Sequence, residues 1–473
     1  MSVEESQDFL SRLIEEAHDR ASFDGLDRGA IIETAERNPL VMQWIVAQID
    51  EAQRPRDALA ELRRGEGDAA RRVFDRSFKL EQLGDDGRAA LLALALFTPS
   101  ASREALAQVA GFGDGVKRLN DAVRRLARLW LVVAKDGGER LAIEGLTREM
   151  ARASIDRLPN GDEFKRRFVA NFLAYAESHD QPKPEDYDAL EAERENLFGA
   201  IDIAFEAQDW RTVMRLMDAI SRGSITGMLS VRGYWDEAKE RGKQALTASR
   251  NLQDEKSIAR RLHNLAITYQ NQGDLDEARS LYQQSLDINR KLGDQSGVAS
   301  SLGQLGLLAQ EEGKLDEARS LYQQSLDINQ KFSNQKGIAT ALGQLGSLAH
   351  DQGDFDEARS LYQQGLDIWR MLGEQGGIAT LLHQLGHLAQ ILGDLDEARS
   401  FYLQSLDIDR KLGDQFSIAC ALGQLGLLAE DEGDKIEAAR LYREALTIFE
   451  RLRSPYTELA RESLERVEGR GEG

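Results

Sequence analysis

One cysteine, Cys420, stands in 473 residues, so no intrachain disulfide can form and a reducing compartment is the natural setting. Long apolar runs are also missing. The longest is Ala89–Phe97, far short of the ~20 residues a membrane span needs. The first thirty residues carry Glu4, Glu5, Glu15 and Glu16 without an apolar stretch, so no secretion signal is expected there. Positive charge is in deficit: 60 Lys and Arg face 81 Asp and Glu, and the net charge of −21 argues against a general binder of nucleic acid or anionic membrane. No Gly-x4-Gly-Lys-Ser/Thr stretch is present to cradle phosphates, and neither Gly-x-Ser-x-Gly nor Cys-x2-Cys occurs. These absences lead us to expect a cytoplasmic protein that is not an enzyme and uses no cofactor or metal.

What the chain has in abundance is repetition. Gly273-Asp274-Leu275-Asp276-Glu277-Ala278-Arg279-Ser280-Leu281-Tyr282 returns at Gly313, Gly353, Gly393 and Gly433, and Leu275–Asn289 is identical to Leu315–Asn329. A fixed forty-residue period means a solenoid whose units cannot bury their apolar faces alone. The unit Gly273–Glu312 carries seven acidic residues against three basic, whereas residues 115–170 carry thirteen basic against eight acidic. Both read as solvated helix faces.

Within one unit, Leu302, Leu305, Gly306 and Ala309 form one stripe of a helix. Gly313 ends it through the left-handed conformation that glycine adopts cheaply. Asp316 and Glu317 open a second helix, whose inner stripe is Ala318, Leu321, Tyr322, Ser325 and Leu326. Gly306 inside a helix costs ~1 kcal/mol relative to alanine. The expected compensation is close approach of the partner helix at Ala318, with the repeat tyrosines filling the space between units. The pattern Leu-x2-Leu-Gly-x2-Ala-x3-Gly-x-Leu-x2-Ala-x3-Tyr-x2-Ser-Leu resembles the tetratricopeptide repeat, with a second helix lengthened by six residues. The resemblance implies an all-α superhelix of helical hairpins, six over residues 211–453, the first degenerate. A capping helix and tail at 454–473 would follow a break at Pro455.

In such repeats the first helices line the concave face. The second helices barely vary here, so they read as scaffold, and the variation falls on the first helices. The predicted ligand-facing residues are Arg260, His263, Asn264, Gln304, Gln344, His350, Thr380, His383, Gln384, His387 and Gln424. The asparagine and glutamines offer donors and acceptors to a peptide backbone. They can equally bond to neighbouring repeats. His383 and His387 have the i, i+4 spacing of a two-histidine metal site, but no carboxylate or cysteine follows at ligand spacing. A polar ligand-facing patch is the reading we adopt.

The front of the chain reads differently. Asp68–Lys79 is amphipathic with Val73 and Phe78 on one side. Asp85-Asp86-Gly87 caps an apolar helix that Thr98-Pro99 stops. Arg103–Ala110 and Gly115–Leu129 are helical, and residues 130–143 form a hairpin around Asp136-Gly137. Three helices and a two-stranded wing suggest a winged helix over 66–158. Its candidate recognition helix carries Lys117, Arg118, Arg124, Arg125 and Arg128, which opens an alternative reading as a DNA-binding transcriptional regulator.

Arg37-Asn38-Pro39-Leu40 and Ile143-Glu144-Gly145-Leu146-Thr147-Arg148 resemble segments of the NB-ARC module in STAND signal-transduction ATPases. Residues 1–65 then read as a helical remnant of that module and 159–210 as a helical linker. In the family, the proline matching Pro39 contacts adenine and the histidine matching Glu144 contacts phosphates. A glutamate there repels phosphate. The resemblance implies a signalling regulator without its phosphate-binding core, unable to hydrolyse ATP alone. It also implies a protein or peptide ligand on the repeats and a STAND ATPase core as a further partner.

Overall fold

The computed structural model describes all residues except 53–54, 65–67, 181–183, 222–227, 453, 455 and 470–473; Pro455 and the end of the tail therefore lie outside the described residues. The fold is all-α apart from one small sheet. Among the described residues, no helix is long and apolar enough to cross a membrane. The chain divides into two compact units: Met1–Tyr175 with Glu193–Glu206, and Ala176–Ala192 with Ala207–Gly473.

In the first unit, helix α1 (Pro39–Asp50) starts because Asn38 accepts hydrogen bonds from the backbone N–H groups of Leu40 and Val41, and Pro39 occupies the first turn, where its missing N–H has no partner to lose. Trp44 of α1 is fully buried, 6.1 Å from Phe74 of α2 (Ala69–Lys79). The buried face of α2 is Val73, Phe74 and Ser77, not Val73 with Phe78 as expected. Positions five apart point about 140° away from each other on a helix, so Phe78 is only half-buried and stacks on Phe74.

Helix α3 (Gly84–Leu96) carries Asp85 and Asp86 in its first turn, where the helix dipole favours negative charge. It is followed by β1 (Ala101–Ser102), α4 (Arg103–Ala110), α5 (Val116–Arg128), β2 (Val133–Lys135), β3 (Arg140–Ala142) and α6 (Gly145–Ile155). The sheet is antiparallel in the order β1-β3-β2, with Ala134 opposite Leu141. Asp136 and Gly137 at the hairpin turn both have positive φ, 50° and 66°, the backbone this turn chemistry favours. Strand β1 was not foreseen; two residues carry no readable periodicity. Arg152 of α6 donates to the carbonyl of Ala95 at the end of α3, one of the carbonyls a helix leaves unpaired.

The second unit is a stack of helical hairpins. An irregular pair, α7 (Trp210–Ile220) and α8 (Trp235–Asn251), leads. Five regular hairpins follow: α9 (Glu255–Asn271) with α10 (Leu275–Leu292), α11 (Gln295–Glu311) with α12 (Leu315–Lys331), α13 (Gln335–Asp351) with α14 (Phe355–Leu372), α15 (Gln375–Ile391) with α16 (Leu395–Leu412), and α17 (Gln415–Asp431) with α18 (Lys435–Arg451). Helix α19 (Thr457–Glu468) covers the last. Gly313, at φ 76°, makes the tight turn inside its hairpin.

A Cβ added at Gly306 would sit 2.7 Å from the ring of Tyr322. The recurring helical glycine therefore admits the tyrosine of its own hairpin, rather than closing against Ala318. Tyr282, Tyr322, Tyr362 and Tyr402 are all completely buried. Ser285, Ser325 and Ser405 each donate back to a carbonyl of the preceding first helix, at Ala259, Ala299 and Ala379. Arg279, Arg319, Arg359 and Arg399 reach forward to acceptors on the next hairpin, among them Glu312, Gln352, Glu397 and Glu432. Successive first helices touch one another more than successive second helices do, which puts the first helices on the inside of the curve.

Candidate functional site

The residues expected on the inner face lie on α9, α11, α13, α15 and α17. Asn264, Gln304, Gln344, Gln384 and Gln424 are all half-buried there. The side-chain amides of Asn264, Gln384 and Gln424 make no hydrogen bond among the described residues, so their donors and acceptors are available. Gln344 instead donates to the carbonyl of Gly303 at 3.3 Å, and Gln304 accepts from Tyr282 at 3.5 Å. The amide row is thus divided between structure and open capacity.

The histidines are packed more deeply than the sequence led us to expect. The His263 ring lies 5.3 Å from that of Tyr282, and its Nε2 is 3.4 Å from the Ser300 hydroxyl. His383 lies 5.2 Å from Tyr402. Burial lowers both histidines to a pKa of about 4, so they are neutral at physiological pH. His387 is lowered too, by burial and then by His350, whose ring is 5.0 Å away. His350 Nδ1 is 3.3 Å from Asp351.

The structure therefore brings His350 and His387 together, with His383 one turn along α15. Among the described residues, no three His, Cys, Asp or Glu side chains are grouped to hold a metal ion. Arg260 is exposed but engaged with Asp218, 3.1 Å away, which also pairs with the buried Arg261. Thr380 donates to the carbonyl of Gly376 in its own helix. Cys420 is half-buried, and burial pushes its thiol up to about 12, far from a reactive thiolate.

A polar ladder was missed in the sequence. Tyr282, Tyr322 and Tyr402 donate to Gln270, Gln310 and Gln390 at 3.0, 2.8 and 3.1 Å. Those amides donate onward to Glu311, Asp351 and Asp431 of the next hairpin at 2.9, 2.7 and 3.3 Å. Tyr442 donates to Glu430, which is held by Arg466 of α19. The signal was present in the forty-residue register, as amides at 270, 310 and 390 followed by acids at 311, 351 and 431. A separate cleft of 510 Å³ lies along the second helices α10 and α12, lined in part by Arg279, Arg290, Glu317 and Gln324. Much of its lining recurs in the other hairpins, so it offers little distinctive recognition.

Residues 228–291, 297–371 and 377–451 match the tetratricopeptide-repeat family. No curated protein matches the chain. Among solved structures, BtubC from P. vanneervenii is similar over 45% of this chain and 90% of its own, at 21% identity and a TM-score of 0.37. A signal-transduction ATPase with numerous domains and a tetratricopeptide-repeat sensor, from Pyrococcus horikoshii, is similar over 99% of this chain and 70% of its own, at 14% identity and a TM-score of 0.40. A Rap protein complexed with competence and sporulation factor is similar over 68% of this chain and 91% of its own, at 15% identity and a TM-score of 0.41. The helical hairpins within residues 228–291, 297–371 and 377–451 are tetratricopeptide repeats.

Proposed function

We propose that the inner face of the repeat array binds an extended peptide or protein segment and that the chain acts as a non-catalytic interaction and sensor module in a STAND-type signalling regulator. The observation that carries this reading is the set of open amides. Asn264, Gln384 and Gln424 face the inside of the curve with their hydrogen-bonding groups unused, while the second-helix surface repeats almost unchanged from hairpin to hairpin. A backbone running along the groove offers the carbonyls and N–H groups such amides can pair with. The order helix–strand–helix–helix–strand–strand in the first unit supports the winged-helix part of the reading.

DNA binding is the weaker alternative. On α5, Arg118 is bound to Asp86, Arg124 to Asp121, and Arg128 lies 4.0 Å from Glu51. Cations already matched by carboxylates contribute less to holding phosphates.

The test is selection of a random peptide library on the full chain. Replacing Asn264, Gln384 and Gln424 together by alanine should weaken the selected peptides by about tenfold or more. Replacing Gln284, Gln324 and Gln364 on the outer helices should leave binding unchanged. Equal losses in both triple variants would refute the groove.

A further inference from the structure

The repeat array has two edges. One carries the turns inside hairpins, at Gly233, Gly273, Gly313, Gly353, Gly393 and Gly433, all left-handed with φ between 75° and 83°. The other carries the turns between hairpins, where the second helices end, at Leu252, Leu292, Phe332, Leu372, Leu412 and Leu452. Along this apolar row Leu252, Leu292, Phe332 and Leu372 are between 36% and 56% exposed, whereas Leu452 is only 5% exposed. The chain itself covers Leu452: a Cβ added at Gly233 would lie 2.9 Å from the Leu452 side chain. The turn of the leading hairpin thus sits on the apolar row at the last one. At Gly273, Gly313, Gly353, Gly393 and Gly433 the same added Cβ meets nothing within 4 Å, so those turns are uncovered.

We propose that a second copy of this chain covers the open row in the same way, its hairpin turns seated on Leu252, Leu292, Phe332 and Leu372 as Gly233 is seated on Leu452. Two features single out a second copy as the occupant. Both edges belong to one array and repeat once per hairpin, every forty residues, so a contact made at one hairpin recurs at the next. The charges also match. Arg250, Arg290, Lys291 and Lys331 flank the apolar row, all exposed and without an ion pair among the described residues, Lys331 5.8 Å from the centre of the Phe332 ring. Asp276, Asp316, Asp356 and Asp396 stand three residues past the turn glycines, equally exposed and equally without an ion pair among the described residues. One exposed pair contributes at most about 1 kcal/mol, but two rows of opposite sign at a common spacing engage several pairs together.

The contact joins two different surfaces and is therefore heterologous. Each copy keeps one free edge after docking, and association continues head to tail unless the rotation between copies closes a ring. Gly233 and Leu452 are already used within the chain, so the open stretches are Gly273 to Gly433 on one edge and Leu252 to Leu372 on the other. The turn edge also brings exposed apolar side chains, Ile391, Leu392 and Ile436, to add to the apolar area of the contact. A net charge of −21 on each copy opposes their approach, which keeps the association weak and makes it depend on the matched rows.

The experiment is sedimentation velocity of the full chain from about 1 μM to about 500 μM, over which monomer should give way to dimers and larger species. Leu292→Asp with Phe332→Asp breaks the apolar row at two exposed positions, and Asp316→Lys with Asp356→Lys reverses the acidic row. Each double variant alone should stay monomeric, with the helical circular dichroism of the parent. Mixed in equal amounts, the two variants retain one intact edge each and should form a dimer that grows no further. A parent chain that stays monomeric over the whole range overturns the inference, and its cosedimentation with vesicles of phosphatidylserine and phosphatidylcholine would then assign the row to a membrane surface. Double variants that associate as the parent does, or a mixture that remains monomeric, overturn the pairing of the two edges.

Discussion

At the scale of single residues, the repeat tyrosines make a paired comparison. All occupy the space over a small residue of the preceding helix, but their hydroxyls are not equivalent. Tyr322 donates to Gln310 at 2.8 Å, whereas Tyr362 has His350 in place of that glutamine and the Ser347 hydroxyl as its polar neighbour. Tyr322→Phe should cost about 0.5–1.5 kcal/mol, the net worth of one hydrogen bond, and Tyr362→Phe should cost less. Thermal unfolding of the two variants beside the parent chain decides it, and equal losses would show that the two hydroxyls are bonded equally well. The sequence placed these rings in the core through their spacing. It did not reveal that His263 and His383 would lie against Tyr282 and Tyr402, because packing between two helices leaves no trace in the period of either one.

At the scale of elements, the junction between hairpins carries a titratable exception. Asn289 lies over Gly297, Asn329 over Gly337 and Trp369 over Gly377. Asp409 takes the same place in α16 and is 5% exposed. Burial, and then the neighbouring Asp414, push its carboxyl up to about 7, although Ser405 donates to it at 3.2 Å. An unfolded aspartate titrates near 3.9. Between roughly pH 4 and 7 the folded chain therefore binds the proton that the unfolded chain has lost, and this group's contribution falls as pH rises through that window, then stays flat. Asp409→Asn, the residue found at 289 and 329, should raise stability at pH 8 by on the order of 1–3 kcal/mol and remove that slope. Urea unfolding at pH 5 and pH 8 measures it; a variant with the parent's slope would mean Asp409 is ionised in the fold.

The helices themselves were legible. Gly313 and its equivalents marked each turn, and Asn38-Pro39 marked the start of α1. Strand β1 was too short to read, and the chain's division between Ala192 and Glu193 falls in a segment where composition does not change. Asn196, almost fully buried, shows why that division lies there: its side chain accepts from the N–H of Thr98 and donates to the carbonyl of Ser100, contacts across about a hundred residues that no local pattern announces.

For the whole molecule, the repeats give the physical reason for the proposal that recognition falls on the inside of the curve. Second helices that vary little make a nearly constant outer wall, so a ligand is best distinguished on the first helices, where residues differ from rung to rung. The most direct test places a photo-crosslinking benzoylphenylalanine in the full chain at Gln384 or Gln424, or on the outer helices at Gln364 or Gln404, and adds a peptide selected on the parent chain. Crosslinks from the two inner positions and none from the two outer ones are the predicted result; crosslinks from the outer helices alone would contradict the account.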